Sequence, residues 1–268
     1  MNIIQRIFNW LPDFKGKLRL AKIFLLKKKQ AHTFLTKNGV KYSVPNLIEN
    51  VSYELYINGH YEKDTISHIC RTLPNNGIFI DVGANIGAIS VEVAILRPDI
   101  TVISFEASPS VFQYLKKNKE QNDLSNLYIY NLAIHENGGI NLPFYSPKEQ
   151  NGKGSFAPVF TSLSENVKTV RLDDFISESN LTPDLIKIDV EGFEYVVLKS
   201  LNKFFDLGPK FQILFEFGDW SEQAAGIEIG AAQQYLLNNN FSLVDFYSKN
   251  PIQVPILEGC SMILAYHE

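Results

Sequence analysis

Four carboxylates in this sequence stand where short apolar runs end. Asp81 closes Ile78–Val82, Glu106 follows Thr101–Phe105, and Asp189 and Glu191 close Leu185–Val190. Continuous apolar runs of this length read as strands buried on both faces of a parallel sheet. In open α/β sheets, ligands bind beyond the carboxyl ends of the strands. Acids placed there can hold cationic or hydroxyl groups of a ligand, take a proton, or ligate a metal.

The stretch Phe79-Ile-Asp-Val-Gly-Ala-Asn-Ile-Gly87 runs from a strand through a glycine-rich turn into a helix. Such a turn lets backbone approach a ligand closely. A dinucleotide fingerprint has a second glycine two residues after the first. Here that position is Asn85, and the glycines are Gly83 and Gly87. Asp81 beside the turn would repel a pyrophosphate but tolerate a sulfonium ligand that also carries an ammonium group. The loop therefore suits S-adenosylmethionine better than NAD. Glu106 lies about 20 residues past Gly87, where an acid can accept hydrogen bonds from both ribose hydroxyls. Its competing reading is a helix N-terminal acid before Pro109.

Lys187, Asp189 and Glu191 alternate along the fourth strand and share one face before Gly192 turns the chain. Three roles are open. Asp189 is a general base toward an acceptor hydroxyl, or Asp189, Glu191 and Glu216 hold a Mg²⁺ that acidifies it, or Lys187 and the acids form a structural ion network. No other metal-ligand set is expected. Cys70 and Cys260 are far apart and form no CxxC unit, which disfavours zinc and fits a reducing, cytoplasmic setting. His60 and His135 are weaker candidates, and Asn131–Ala133 is expected to border an adenine ring.

These groups need a frame, and the order of elements supplies one. After Ile78 the chain alternates strands with helices: Ala88–Leu96, Pro109–Gln121, Tyr195–Leu201 and Ile229–Leu237 read as helices, Leu127–Ile134 and Phe211–Phe217 as further strands. That alternation predicts a doubly wound, mostly parallel α/β sheet. Ser242–Tyr247 and Ser261–Tyr266 have no helix between them and should pair as an antiparallel hairpin at the sheet's edge. Residues 143–166 are irregular; Phe144, Tyr145, Phe156 and Phe160 there suit stacking on a substrate, with Gly152 and Gly154 as hinges. Residues 1–60 read as an appendage of basic helices, broken by Pro12, and hairpins at Asn38-Gly39 and Asn58-Gly59, with the main domain at 61–268.

Charge is uneven along the chain. Residues 1–30 carry eight basic residues against Asp13 alone, so a net charge of −4 leaves −11 for the remainder. An acidic body is a poor partner for nucleic acid. The basic segment either touches anionic lipid peripherally or packs on the domain through Ile7, Phe8, Leu11 and Leu18. Its longest apolar run, Ile23–Leu26, is too short for a signal peptide or a spanning helix.

Taken in order, IDVGANIG, SFEASP, NLAI at Asn131–Ile134, RLDDFI at Arg171–Ile176 and IKIDVEGFEYVVLKS at Ile186–Ser200 resemble the FkbM family of S-adenosylmethionine-dependent methyltransferases, as does the earlier Tyr61-Glu62 pair. The resemblance covers roughly residues 60–218. It implies a Rossmann-like class I methyltransferase fold and O-methylation, commonly of sugar or polyketide hydroxyls. It puts the cofactor on Asp81, Gly83, Ala84, Asn85, Gly87, Glu106 and Ala107, with Glu62, Ala133 and Asp189 around it. Catalysis would fall to Asp189, Glu191 and Lys187. The expected acceptor is a sugar hydroxyl in a glycan or glycolipid. The alternatives are a small-metabolite or polyketide hydroxyl, and a non-catalytic assembly module that only binds the cofactor. The oligomeric state is not legible.

Overall fold

The chain begins with helices α1 (Ile3–Trp10) and α2 (Lys17–Phe24), a hairpin of β1 (His32–Leu35) and β2 (Lys41–Val44), and helices α3 (Asn50–Asn58) and α4 (Lys63–Thr72). The computed structural model describes residues 3–12, 14–24, 30–147, 154–158, 161–208 and 210–267. Asp13, Leu25–Lys29, Gly152 and Phe160 therefore lie outside the described residues. The Asn38-Gly39 pair does turn a hairpin, registering Leu35 against Lys41. Asn58-Gly59 does not. Gly59 takes φ 77° and caps α3, its N–H donating to the Leu55 carbonyl. The same dipeptide suits a type I′ turn or a left-handed helix end, and here the helix prevails.

The alternation that follows gives β3 (Ile78–Val82), α5 (Ser90–Leu96), β4 (Thr101–Phe105), α6 (Pro109–Glu120) and β5 (Leu127–Tyr130). The expected strand 127–134 breaks after Tyr130. Its remainder, β6 (Ala133–Ile134), leaves the main sheet and joins β7 (Asn141–Tyr145) and β8 (Ser164–Val170) in a small sheet of order β6-β8-β7. Residues 143–166 are thus framed by two paired strands. Beyond them lie α7 (Leu172–Glu178), β9 (Leu185–Ile188), α8 (Glu194–Lys199), α9 (Asn202–Asp206), β10 (Gln212–Gly218), α10 (Asp219–Ala224), α11 (Ala231–Asn238), β11 (Ser242–Asp245), β12 (Pro251–Ile252) and β13 (Cys260–Tyr266).

Eight strands form the main sheet in the order β12-β11-β13-β10-β9-β3-β4-β5. The five from β5 to β10 are mutually parallel, and β13 runs antiparallel to both neighbours. This is a Rossmann-like α/β fold. The two last long strands do pair, with Leu243 opposite Ala265. They are not an edge hairpin, however, because β13 inserts between β10 and β11 and leaves β12 at the margin. Insertion lets Ile263 and Ala265 bury fully beside Ile213 and Leu243, which an edge position would leave half in water.

Residues 1–60 share one core with the first half of the sheet, where Phe8, Tyr42, Val44 and Leu55 belong to the same cluster as Phe79, Ile86 and Val102. Asn118 of α6 fastens the two parts. Its Oδ1 accepts the Ser43 N–H at 2.7 Å while its Nδ2 donates to the carbonyls of Ser43 and Ile86. The hairpin thereby braces the glycine turn from behind.

Candidate active site

The turn after β3 is shaped by hydrogen bonds made inside the protein. The N–H groups of Gly83 and Ala84 both donate to the Phe105 carbonyl, at 3.0 and 2.9 Å. Asn85, in a left-handed conformation, donates its N–H to Glu106 Oε2 at 2.9 Å. A pyrophosphate cradle needs such N–H groups free, and here they are spent. Gly83 has φ +82°, and a Cβ there would stand 1.8 Å from the Asp189 carbonyl oxygen, so only glycine lets the turn pass the end of β9. Gly87 serves packing instead. A Cβ on it would meet Leu115 and Val91, and it does not line the cavity described next.

A cavity of about 430 Å³ opens over the carboxyl ends of β3, β4, β9 and β10. That is within the range of small-molecule and cofactor sites. Asp81, Gly83, Ala84, Asn85, Glu106, Ala107, Ala133, Lys187, Asp189 and Glu191 all line it. Glu62 does not; it is half-buried outside the cavity lining and acts on Lys187 through its charge. Among the residues that sequence reasoning had passed over are Ile48, Glu49, Asn50 and Val51, which form a wall at the head of α3, together with Phe193 and Trp220. The α3 wall has a local signal: Asn46 Oδ1 accepts the N–H groups of Ile48 and Glu49, and Glu49 caps α3 through the N–H groups of Val51 and Ser52. Phe144 and Phe156 also line the cavity and meet edge to face at 5.3 Å, with Phe193 5.5 Å beyond Phe156. His135 packs on Phe156 without lining the cavity.

Electrostatics at the floor centre on Lys187. Its ammonium lies 3.1 Å from Asp189 Oδ2 and 3.7 Å from Asp81 Oδ1, and Lys187 and Asp81 are both fully enclosed. Burial works against its charge, but Asp189, Asp81 and Glu62 together hold its pKa above the ordinary lysine value. Asp81 also accepts a hydrogen bond from Ser90 Oγ, while its Oδ1 has no hydrogen-bond partner. Asp189 differs from Asp81 in being 23% exposed, toward the cavity. Burial raises the Glu106 carboxyl to about 7 against the N–H groups of Ser108 and Asn85. The Asp189 charge, aided by burial and by Glu191, pushes Glu216 up to about 9. The cation beside Asp189 is thus an ammonium of the protein. Among the described residues no group of three or more His, Cys, Asp or Glu side chains is arranged to hold a metal ion.

The acids fit a cationic, hydroxyl-bearing cofactor. Two oxygens of Glu106 accept one backbone N–H each and keep lone pairs for further donors. The sequence from Asp81 to residue 243 matches the methyltransferase FkbM domain. The chain belongs to the FkbM methyltransferase family. It is a methyltransferase, and S-adenosylmethionine is the methyl donor. Similar curated proteins include Methyltransferase 1 of Beauveria bassiana, 26% identical over 58% of this chain and 68% of that protein. The hexuronic acid methyltransferase AglP of Haloferax volcanii is 28% identical over 52% of this chain and 56% of its own length. The 2-O-methyltransferase NoeI of Sinorhizobium fredii is 29% identical over 45% and 56% respectively. The match thus spans little more than half of the last two. No described helix is long and apolar enough to cross a membrane.

Proposed function

We propose that this FkbM methyltransferase methylates a hydroxyl oxygen of a saccharide, with Asp189 as the general base. The observation that carries the reading is the setting of the Asp189 carboxylate: pinned from behind by Lys187, yet open to the cavity that the glycine turn and Glu106 also line. When bound, S-adenosylmethionine supplies a sulfonium methyl carbon whose bonding electron pair leaves with sulfur. The protein has then to hold an acceptor oxygen in line and receive one proton. Asp189 receives it, and the Lys187 ammonium keeps that carboxylate oriented.

Asp81, Asn85 and Glu106 would hold the cofactor, with Ala107, Leu132 and Ala133 alongside. The Asp189 charge pushes the Glu216 carboxyl toward its protonated form, in which it can donate to a sugar oxygen. Trp220, half exposed on the cavity wall, offers an aromatic face of the kind sugar rings stack on. One relative's name specifies a hexuronic acid, which favours the same acceptor class, and another's specifies a 2-O position, which favours an oxygen acceptor.

The test is incubation with S-adenosylmethionine and uronic acids, neutral hexoses, oligosaccharides or a polyketide alcohol, reading S-adenosylhomocysteine. Saccharide-dependent turnover that falls about 10²–10⁴-fold in Asp189→Asn, with cofactor binding retained, supports the reading. Turnover only on the polyketide alcohol removes the saccharide, and full activity in Asp189→Asn removes the base.

A further inference from the structure

Helix α1 is inverted relative to an ordinary surface helix. It buries Gln5, Phe8 and Asn9 and turns Ile3, Ile7 and Trp10 outward. Residues at i, i+4 and i+7 share one helical face, so the three form a single stripe, exposed by 73, 52 and 86%. The polar face is held inward by specific bonds. Gln5 Nε2 donates to the Leu35 carbonyl, and Asn9 Nδ2 donates to the carbonyls of Tyr56 and Ile57 at 3.1 and 2.9 Å. Rotating the helix to bury its apolar stripe would strand these groups, so the orientation is specified. Sequence periodicity grouped Ile7 with the packing residues; Phe8, Leu11 and Leu18 do pack on the core, and Ile7 does not.

Phe14 and Leu20, also exposed, extend the apolar surface past α1, and Arg6, Lys15 and Arg19 are exposed around it. Lys17 is different: it is buried, with Nζ donating to the Leu11 carbonyl. An outward stripe of Ile, Trp and Phe bordered by Lys and Arg is the composition of a helix lying in a lipid interface. Contiguous apolar surface of this kind marks an interaction face. Charge selects among its partners. The first thirty residues carry +7, and an anionic bilayer offers both the opposite charge at its surface and an apolar interior for the stripe.

We infer that the α1 face, Ile3, Ile7, Trp10 and Phe14 with Arg6, Lys15 and Arg19, docks the enzyme on an anionic lipid surface. The inference does not rest on the saccharide reading. Helix α3 links this face to the cavity: its first residues, Asn50 and Val51, line the cavity, and its last turn receives Asn9, about 10 Å away along the axis.

The test is co-sedimentation of the full chain with vesicles of phosphatidylcholine alone or mixed with phosphatidylglycerol, at low and high salt, with no turnover needed. Binding is expected to the mixed vesicles and to weaken with salt. Replacing Ile3, Ile7 and Trp10 by Ser should abolish it. Replacing Arg6, Lys15 and Arg19 by Gln should weaken it roughly 100-fold, about fivefold per residue. All six side chains are exposed, so both variants should melt like the parent. Absence of binding to mixed vesicles, binding untouched by either variant, or a concentration-dependent dimer that the Ser variant dissolves would overturn the inference.

Discussion

Asp81 and Lys187 are registered partners on adjacent parallel strands β3 and β9, and their charged ends lie 3.7 Å apart in a fully enclosed setting. The same ammonium reaches Asp189, two residues further along the chain and just past the end of β9. One cation therefore joins the cofactor turn to the proposed base.

Removing one member of a buried ion cluster costs more than the cluster contributes, because the remaining charges stay buried. Lys187→Met would leave Asp81 and Glu62 without their cation. It should destabilise the protein by about 3–5 kcal/mol and reduce activity beyond any change in folded fraction. Urea unfolding measures the first effect; initial rates at saturating cofactor measure the second. A variant as stable as the parent would mean that the cluster is dispensable.

Glu106 holds the glycine turn to the tip of β4 through the Asn85 and Ser108 N–H groups and has acceptor capacity left for a ligand. Glu106→Gln keeps an acceptor and loses a charge, while Glu106→Ala loses both. Calorimetric titration with S-adenosylmethionine should show weaker binding in Gln and a loss of about 10²-fold or more in Ala, at 1.5–3 kcal/mol per charged hydrogen bond. Equal affinities across the three proteins would leave Glu106 only its role in the turn.

Gly83→Ala asks for a Cβ where the Asp189 carbonyl already is, in a backbone region that side chains rarely adopt. Separation of β3 from the end of β9 should follow, with a cost of about 3 kcal/mol or more. Differential scanning calorimetry reads this directly. Gly139→Ala is the control: its φ is also positive, at +78°, but its Cβ meets nothing within 4 Å, so it should show only the smaller backbone strain.

The strand tips were legible because parallel strands buried on both faces leave apolar runs, and the acids that interrupt them stand out. Asp81, Glu106 and Asp189 were found that way. Strand order is a different matter: nothing in Cys260–Tyr266 marks it for insertion between β10 and β11, since both edge and interior positions accept its pattern. The sequence reading groups Ile7 with Phe8, Leu11 and Leu18 as packing residues; that Ile7 points outward instead is decided by Gln5 and Asn9 through long-range bonds. The wall at Ile48–Val51 is marked locally by the Asn46 and Glu49 side chains that start α3, but that it faces the cavity is decided by the fold.

Glu194 supports the loop that follows the proposed base. Its Oε1 accepts the N–H groups of Val190 at 2.9 Å and Gly192 at 3.3 Å, holding Glu191 and Gly192 in left-handed conformations. Burial raises its carboxyl to about 8, against those N–H donors and with a smaller push from Asp189. In the unfolded chain it titrates near 4.5. Between those values the folded protein holds a proton that the unfolded chain has released, so this group's contribution to stability falls as pH rises from about 4.5 to about 8 and is level above. Glu194→Gln keeps the acceptor oxygen and removes the titration. The parent should thus lose stability relative to the variant across that window, by roughly 5 kcal/mol in all. Chemical denaturation of both proteins at pH 5, 6.5 and 8 checks it, because Glu106 and the other raised carboxyls are common to both and largely cancel in the difference. Parallel stability curves would show that Glu194 is ionised throughout and that its burial carries no such penalty.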